Sequence, residues 1–327
     1  MLLACGDVLV DFLPVESADG RDALLPAVGG SCFNVAVGMA RLGAPVGFVG
    51  GVSTDLFGSM IAEHAQASQV DLRYAARSDR PTTLAFVRSI NGEPHYAFYD
   101  EGTASRHWTH QPGSIPFAKI DALHVGSTTL VHRAGAAQAM ALIDEARGLA
   151  TVSFDPNCRP NLVHDKAGYV DRMDQFAARA DIVRLSDGDF AYLYGGSDYA
   201  GRATALFAAG TQLFIVTRGV RGALAWHRNA GAIEVEAPPV NVIDTVGAGD
   251  SFQAGLLFAL RAMGRISLAT LGRLSAVELK RALAFATGCA AITCGHRGAD
   301  PPRLSELDAN LLDALGEVSP LKAASYQ

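Results

Sequence analysis

Asp244-Thr245-Val246-Gly247-Ala248-Gly249-Asp250, continued by Ser251-Phe252-Gln253-Ala254-Gly255, is the stretch whose reading decides the fold of this chain. Two glycines flank one alanine, so the backbone there can turn tightly and approach a ligand closely. A helix follows, with Phe252, Leu256, Ala259 and Met263 on one apolar stripe. The bend therefore sits at a helix N-terminus, where free N–H groups and the helix dipole attract anions such as phosphate. Asp250 falls in the first helical turn beside that anion site. Bound phosphate repels a carboxylate, so phosphate affinity does not explain Asp250. It makes sense as a base that takes a proton from a hydroxyl about to attack the phosphate. The plainer alternative is an acidic residue that favours a first helical turn, worth about 0.3–1 kcal/mol. The Walker A pattern is absent, so the chain is not a P-loop protein.

Outward from that bend, strands and helices alternate. Leu2–Cys5 reads as a first strand leaving the sheet edge, continued by Val8–Leu13. Asp11 would lie near its carboxyl end, where open α/β sheets bind ligands; from position alone it could equally end a turn. Pro14–Pro26 is polar and reads as irregular, with a later excursion as its partner. Gly29-Gly30-Ser31 opens a helix burying Phe33, Ala36, Val37 and Ala40 and closed by Gly43. Asn34 lies off that stripe; its amide can donate to and accept from sugar hydroxyls, or it is an ordinary polar residue of a first turn. Further strands are expected at 45–49, 122–125, 151–154, 181–185, 213–217, 223–226 and 233–237, with helices between several of them and at 277–291. This pattern predicts one α/β domain over 1–327, a doubly wound, mainly parallel sheet flanked by helices.

One segment breaks the alternation. Thr83–Ile90 and His95–Tyr99 read as strands joined by Asn91-Gly92, a strong hairpin signal. A lone hairpin is marginal, so it must pack on something. We expect a small β lid over the site, built from about 12–25 and 72–108; the alternative is a surface hairpin without function.

Composition narrows the function classes. The chain has 327 residues, 49% hydrophobic, with a net charge of -6. Nothing suggests a grip on nucleic acid or on an anionic membrane. The five cysteines, Cys5, Cys32, Cys158, Cys289 and Cys294, form no C-x-x-C pair, which fits reduced thiols and a cytoplasmic protein. Asp7 and Asp11 interrupt the first apolar run, which argues against a signal peptide. The apolar run Ala282–Cys294 is too short to span a bilayer.

The central run, with motifs in order along nearly the whole chain, resembles the ribokinase-like (PfkB) family of sugar and nucleoside kinases. The resemblance implies a ribokinase-like fold and the use of ATP and Mg²⁺, with K⁺ as a further cation. It implies that Asp250 is the catalytic base and that Gly247, Ala248 and Gly249 form the anion hole. It places Asp11, Gly30 and Asn34 on the sugar, Arg159 on phosphate or sugar, and Asp244 on sugar or a nearby monovalent cation. Thr217, Gly219 and Gly222 resemble the nucleotide-binding turn, and Thr287 stands where many relatives carry an asparagine near the adenine. Ser186-Asp187-Gly188-Asp189 stands where the family often has Asn-x-x-Glu, which organises magnesium-bound water. Asp189 is therefore the candidate metal residue, although Ser-x-x-acid is also a helix cap.

The run Tyr96–Arg106 resembles that of bacterial fructokinases, and Asp100-Glu101 would disfavour an acidic sugar. The resemblance implies phosphorylation of a primary hydroxyl of a small sugar, fructose first. Because Arg106 could meet an acid, 2-keto-3-deoxygluconate is the second acceptor, and ribose or a nucleoside the third. A non-catalytic sugar sensor on a kinase fold is the reading from another class; an intact Asp250 and anion hole argue against it. Exposed lid edges suggest a homodimer.

Overall fold

The computed structural model describes residues 1–90, 93–313 and 315. Its strands in chain order are β1 (Leu2–Cys5), β2 (Leu9–Glu16), β3 (Asp22–Gly29), β4 (Val46–Val49), β5 (Gly51–Ser53), β6 (Val70–Asp71), β7 (Ala76–Ser78), β8 (Leu84–Ile90), β9 (Glu93–Tyr99), β10 (Ala122–Gly126), β11 (Thr151–Asp155), β12 (Ile182–Ser186), β13 (Leu213–Thr217), β14 (Ala223–His227) and β15 (Gly231–Val235). The helices are α1 (Ser31–Arg41), α2 (Leu56–Ala67), α3 (Arg133–Ala146), α4 (Lys166–Ala177), α5 (Asp187–Tyr194), α6 (Tyr199–Ala209), α7 (Ala248–Ala262), α8 (Leu268–Leu271), α9 (Ala276–Cys294) and α10 (Ala309–Asp313).

The main sheet has nine strands in the order β15-β14-β13-β12-β11-β10-β1-β4-β6. All neighbours from β13 to β6 are parallel, and β14 and β15 are antiparallel additions. Its strands are mainly apolar on both faces, as a sheet with helices on both sides requires, with His124, Ser153 and Arg184 among the buried exceptions. Leu2 and Ala4 point into a core shared with α1, α7 and α9, whereas Leu3 and Cys5 point into a second core with α3 and α4. In β13, Leu213 and Ile215 face the first core, and Phe214 and Val216 the second. The fold is doubly wound, as the alternating pattern implies.

Several expectations need correction. β1 is not at an edge; it lies between β10 and β4, and its four residues are fully buried. The run through residue 13 is not one strand, because Gly6-Asp7 ends β1 and β2 enters a separate four-stranded sheet, β3-β2-β8-β9. Nor is 14–26 irregular: β2 and β3 pair antiparallel from Leu9–Gly29 to Glu16–Asp22. Glu16 and Asp22 at its turn end face solvent, so composition hid a half-exposed hairpin. The apolar stripes expected on α1 and α7 also understate burial. α7 is buried from Asp250 to Leu260 because it packs between α1 and α9.

In the second sheet β2 runs parallel to β8, and β8 and β9 are antiparallel with Ile90 opposite Glu93. The expected turn Asn91-Gly92 lies outside the described residues. Phe12 stacks on Phe86 with centroids 4.7 Å apart and meets Phe57 of α2 edge-on at 5.6 Å, so aromatic packing ties this sheet to the main body. Residues 70–78 do not join it: β6 extends the main sheet, and β7 pairs with β5. Among the described residues no helix is long and apolar enough to cross a membrane.

The loops after β1, β10, β11, β12 and β13 leave the carboxyl ends of parallel strands, the edge where open α/β sheets bind ligands. One of them depends on a single glycine. Gly222 has φ 74, and a Cβ there would overlap the carbonyl oxygen of Val235 on the neighbouring strand. We predict that Gly222→Ala lowers stability by about 2–5 kcal/mol, from the left-handed backbone penalty plus overpacking. Denaturant unfolding would measure this; a loss below about 1 kcal/mol would contradict the packing described for this turn.

Candidate active site

The chain turns into α7 through Gly247, whose φ of 77 places it in the left-handed region. Ala248 and Gly249 follow as the first two helical residues, and Ala248 N–H donates to Thr245 O at 3.3 Å. A helix start carries N–H groups without intrahelical acceptors, and no side chain caps this one. Asp244 shapes the approach. Its Oδ1 accepts from Val246 N–H at 3.0 Å and its Oδ2 from Gly298 N–H at 2.9 Å.

Asp250 is the next residue and is only 7% exposed. Its Oδ1 accepts from Ser31 Oγ at 2.7 Å and its Oδ2 from Asn34 Nδ2 at 2.9 Å. Ser31 and Asn34 are three apart on α1, so one face of that helix presents both donors. Burial pushes the Asp250 carboxyl up to about 6; the Ser31 and Asn34 hydrogen bonds and the Arg159 charge pull the other way, and Asp155 adds to the rise.

Asp11 lies within electrostatic reach. Burial raises its carboxyl to about 6, with repulsion from Asp7 and Asp250 adding and Arg159 opposing. Asp7 is buried beside it and accepts from Cys32 N–H, Ser127 Oγ and Thr128 Oγ1 at 3.2, 2.9 and 3.1 Å. Ser127 holds a left-handed backbone (φ 64), which costs energy and is common at working sites. Gly30 caps the start of α1, against the Asp7 backbone. Arg159 Nη1 donates to the carbonyls of Asn157 and Cys158, both at 3.1 Å. The structure thus brings Asp11, Gly30, Asn34, Arg159 and Asp250 to one place.

The nucleotide-side residues divide. Thr217 ends β13, and its Oγ1 accepts from Arg184 Nη2 at 2.6 Å. Gly219 (φ 54) and Gly222 shape the turn that follows. Thr287 is buried in α9, and its hydroxyl donates to Leu283 O and Ala284 O of its own helix at 3.0 and 2.9 Å. Its single hydroxyl proton is therefore committed to the helix, and only the oxygen's lone pairs are left for a ligand.

Asp189, the candidate metal-side residue, is held by hydrogen bonds within the protein. Its Oδ1 accepts from Cys158 N–H at 3.0 Å and its Oδ2 from Ser186 Oγ at 2.9 Å, while Asp189 N–H donates to Ser186 Oγ at 3.0 Å and Ser186 N–H to Asp189 Oδ2 at 3.4 Å, a capping box at the start of α5. Burial raises its carboxyl, with Asp155 adding. Asp189 pins the loop after β11 to α5. Among the described residues no group of three or more His, Cys, Asp or Glu side chains could hold a metal ion. The sequence reading missed Ser31 and Arg184. The three-residue spacing of Ser31 and Asn34 was a usable signal; the partners of Arg184 were not visible in the chain.

The pattern of the pfkB family carbohydrate kinases matches residues 14–306. A fructokinase from Rhizobium leguminosarum bv. trifolii is 37% identical over 263 residues, covering 80% of each chain. The structure of a fructokinase with bound ATP from Xylella fastidiosa superposes with a TM-score of 0.86 at 29% identity, covering 96% of this chain and 97% of that one. A fructokinase double mutant from Vibrio cholerae O395, in fructose, ADP and potassium ion bound form, superposes with a TM-score of 0.78 at 26% identity, covering 91% of this chain and 93% of that one. Over most of its length, in sequence and in fold, the chain belongs to the pfkB family of carbohydrate kinases.

Proposed function

We propose that this chain is an ATP-dependent fructokinase that moves the γ-phosphoryl of ATP to the primary C6 hydroxyl of fructose, giving fructose 6-phosphate. The observation that carries the reading is Asp250, buried at the start of α7 and held by Ser31 and Asn34. In this reading Asp250 accepts the hydroxyl proton as the oxygen attacks phosphorus, and ADP leaves. The N–H groups at Gly247, Ala248 and Gly249 stabilise charge on the phosphoryl oxygens. Asp11, Asn34 and Gly30 orient the sugar, and Arg159 supplies positive charge beside the two carboxylates.

Magnesium belongs to this reaction as part of the Mg·ATP substrate. A monovalent cation beside Asp244 remains part of the reading, because each oxygen of that carboxylate accepts one backbone N–H and keeps lone pairs free. When bound it would add positive charge next to the bend. The second sheet, β3-β2-β8-β9, is read as a lid that excludes water as an alternative acceptor. Its outer strands expose Leu24, Leu25 and Tyr99, which supports a homodimer.

The choice of fructose over an acidic sugar has support at Arg106. Its Nη1 lies 3.2 Å from Asp100 Oδ1 and its Nη2 2.8 Å from His132 Nδ1, while His132 Nε2 lies 2.8 Å from Asp100 Oδ2. Arg106 is therefore already paired and is not a free cation awaiting a carboxylate.

Three outcomes follow. In a coupled ADP-release assay across a sugar panel, fructose should give the highest kcat/KM and 2-keto-3-deoxygluconate a much lower one; no turnover with any sugar, despite binding, would favour a sensor. Asp250→Asn should still bind fructose but lose at least ~100-fold in kcat, and near-normal turnover would refute the base assignment. Because the base must be ionised and its free-protein value is raised to about 6, kcat/KM should fall as pH drops through that value. A profile flat down to about pH 5 would contradict it.

A further inference from the structure

Arg184 stands in the middle of β12, between Val183 and Leu185, and is only 3% exposed. A buried guanidinium is costly unless its charge is answered. Nη1 donates to Asp155 Oδ2 at 2.5 Å, and Nη2 donates to Thr217 Oγ1 at 2.6 Å. Its central carbon lies 5.7 Å from the ring centroid of Phe252, in the first turns of α7. One side chain from β12 thus ties the end of β11 to the end of β13.

The same fork faces the anion bend. A Cβ built on Gly249 would lie 3.0 Å from Nη2 and 3.1 Å from Nη1. An ion pair with Asp155 alone does not require this; the fork could point elsewhere and still satisfy the carboxylate. Here both terminal nitrogens lie against the helix start. The absence of a side chain at Gly249 makes room for the guanidinium.

We infer that Arg184 is a positioning residue for phosphoryl transfer, holding the bend at Gly249 and the turn at Thr217 in fixed relation and placing permanent positive charge beneath the migrating phosphoryl group. This rests on the kinase reading above. The charges at this edge give the reason. Asp7, Asp11, Asp155, Asp189 and Asp250 all gather at the strand ends, and a nucleotide triphosphate brings more negative charge. Arg159 answers from the loop after β11 and Arg184 from underneath. A charge already fixed in a water-poor site acts on the transition state without reorganising. Asp155 keeps the fork aimed and makes the buried charge tolerable. Thr217 then contributes through Arg184, besides ending the strand that leads to the nucleotide turn.

The test compares Arg184→Lys, Arg184→Met and the double variant Arg184→Met/Asp155→Asn, the last referred to Asp155→Asn alone. Readouts are kcat, KM for fructose, KM for Mg·ATP and the melting temperature. Arg184→Met should lose on the order of 100-fold in kcat, as loss of one preorganised electrostatic group does, with KM for fructose changed by less than about threefold. The double variant leaves no unpaired buried charge, and it carries the test if Arg184→Met does not fold. It should show a loss of similar size relative to Asp155→Asn. Arg184→Lys keeps the charge and should recover kcat to within about tenfold of the parent, a recovery that a purely structural fork would not give. The inference is overturned if a folded neutral variant stays within about threefold of its reference, or if Arg184→Lys, with an unchanged melting temperature, loses about 100-fold. If the unsubstituted enzyme turns over no sugar, the kinase reading fails and takes this inference with it. If the parent is active and the neutral variants match their references, only this inference fails.

Discussion

The carboxylate of Asp250 is gripped by two donors from another helix, Ser31 Oγ at 2.7 Å and Asn34 Nδ2 at 2.9 Å, across 219 and 216 residues of sequence. This contact joins the starts of α1 and α7 and sets Ser31 and Asn34 next to the Gly247–Gly249 bend. It also fixes the chemistry of the acid. Burial raises its affinity for a proton, and the two hydrogen bonds restrain that rise. The result is a carboxylate ionised at neutral pH yet basic enough to take up a proton, which is what a general base for an alcohol needs.

Around that contact the sheet supplies the rest by topology. Consecutive parallel strands deliver Asp7, Ser127, Asp155, Asp189 and Thr217 to one edge, at a strand's last residue or within three residues of it. Their side chains then bind one another: Asp7 takes Ser127 and Thr128, Asp189 takes Cys158 N–H and Ser186, and Arg184 takes Asp155 and Thr217. The loops are held by this network before any ligand arrives. Preorganised donors and charges of this kind are worth more in catalysis than groups that must be recruited.

The fold was legible where a local rule governs. Strands buried on both faces, such as Leu213–Thr217, read as continuous apolar runs, and glycine bends such as Gly247-Ala248-Gly249 mark helix starts. Legibility failed where the environment decides. The hairpin of β2 and β3 is half exposed, so its polar residues imitated a loop. Asp189 carried the same ambiguity to the end, since Ser-x-x-acid fits a cap or a metal-side motif; the cap is what its hydrogen bonds describe. Arg184 could not be valued from the chain, because its partners lie 29 and 33 residues away and the contact with Gly249 exists only after folding.

The most direct test of the central claim is a crystal structure of the enzyme with fructose, ADP, Mg²⁺ and aluminium fluoride as the phosphoryl mimic. The account predicts the C6 hydroxyl within about 2.6–3.2 Å of an Asp250 carboxylate oxygen and the fluoride ligands on the N–H groups of the Gly247–Gly249 bend. A complex in which the sugar hydroxyl meets another base, or in which the fluoride group binds away from the start of α7, would contradict it.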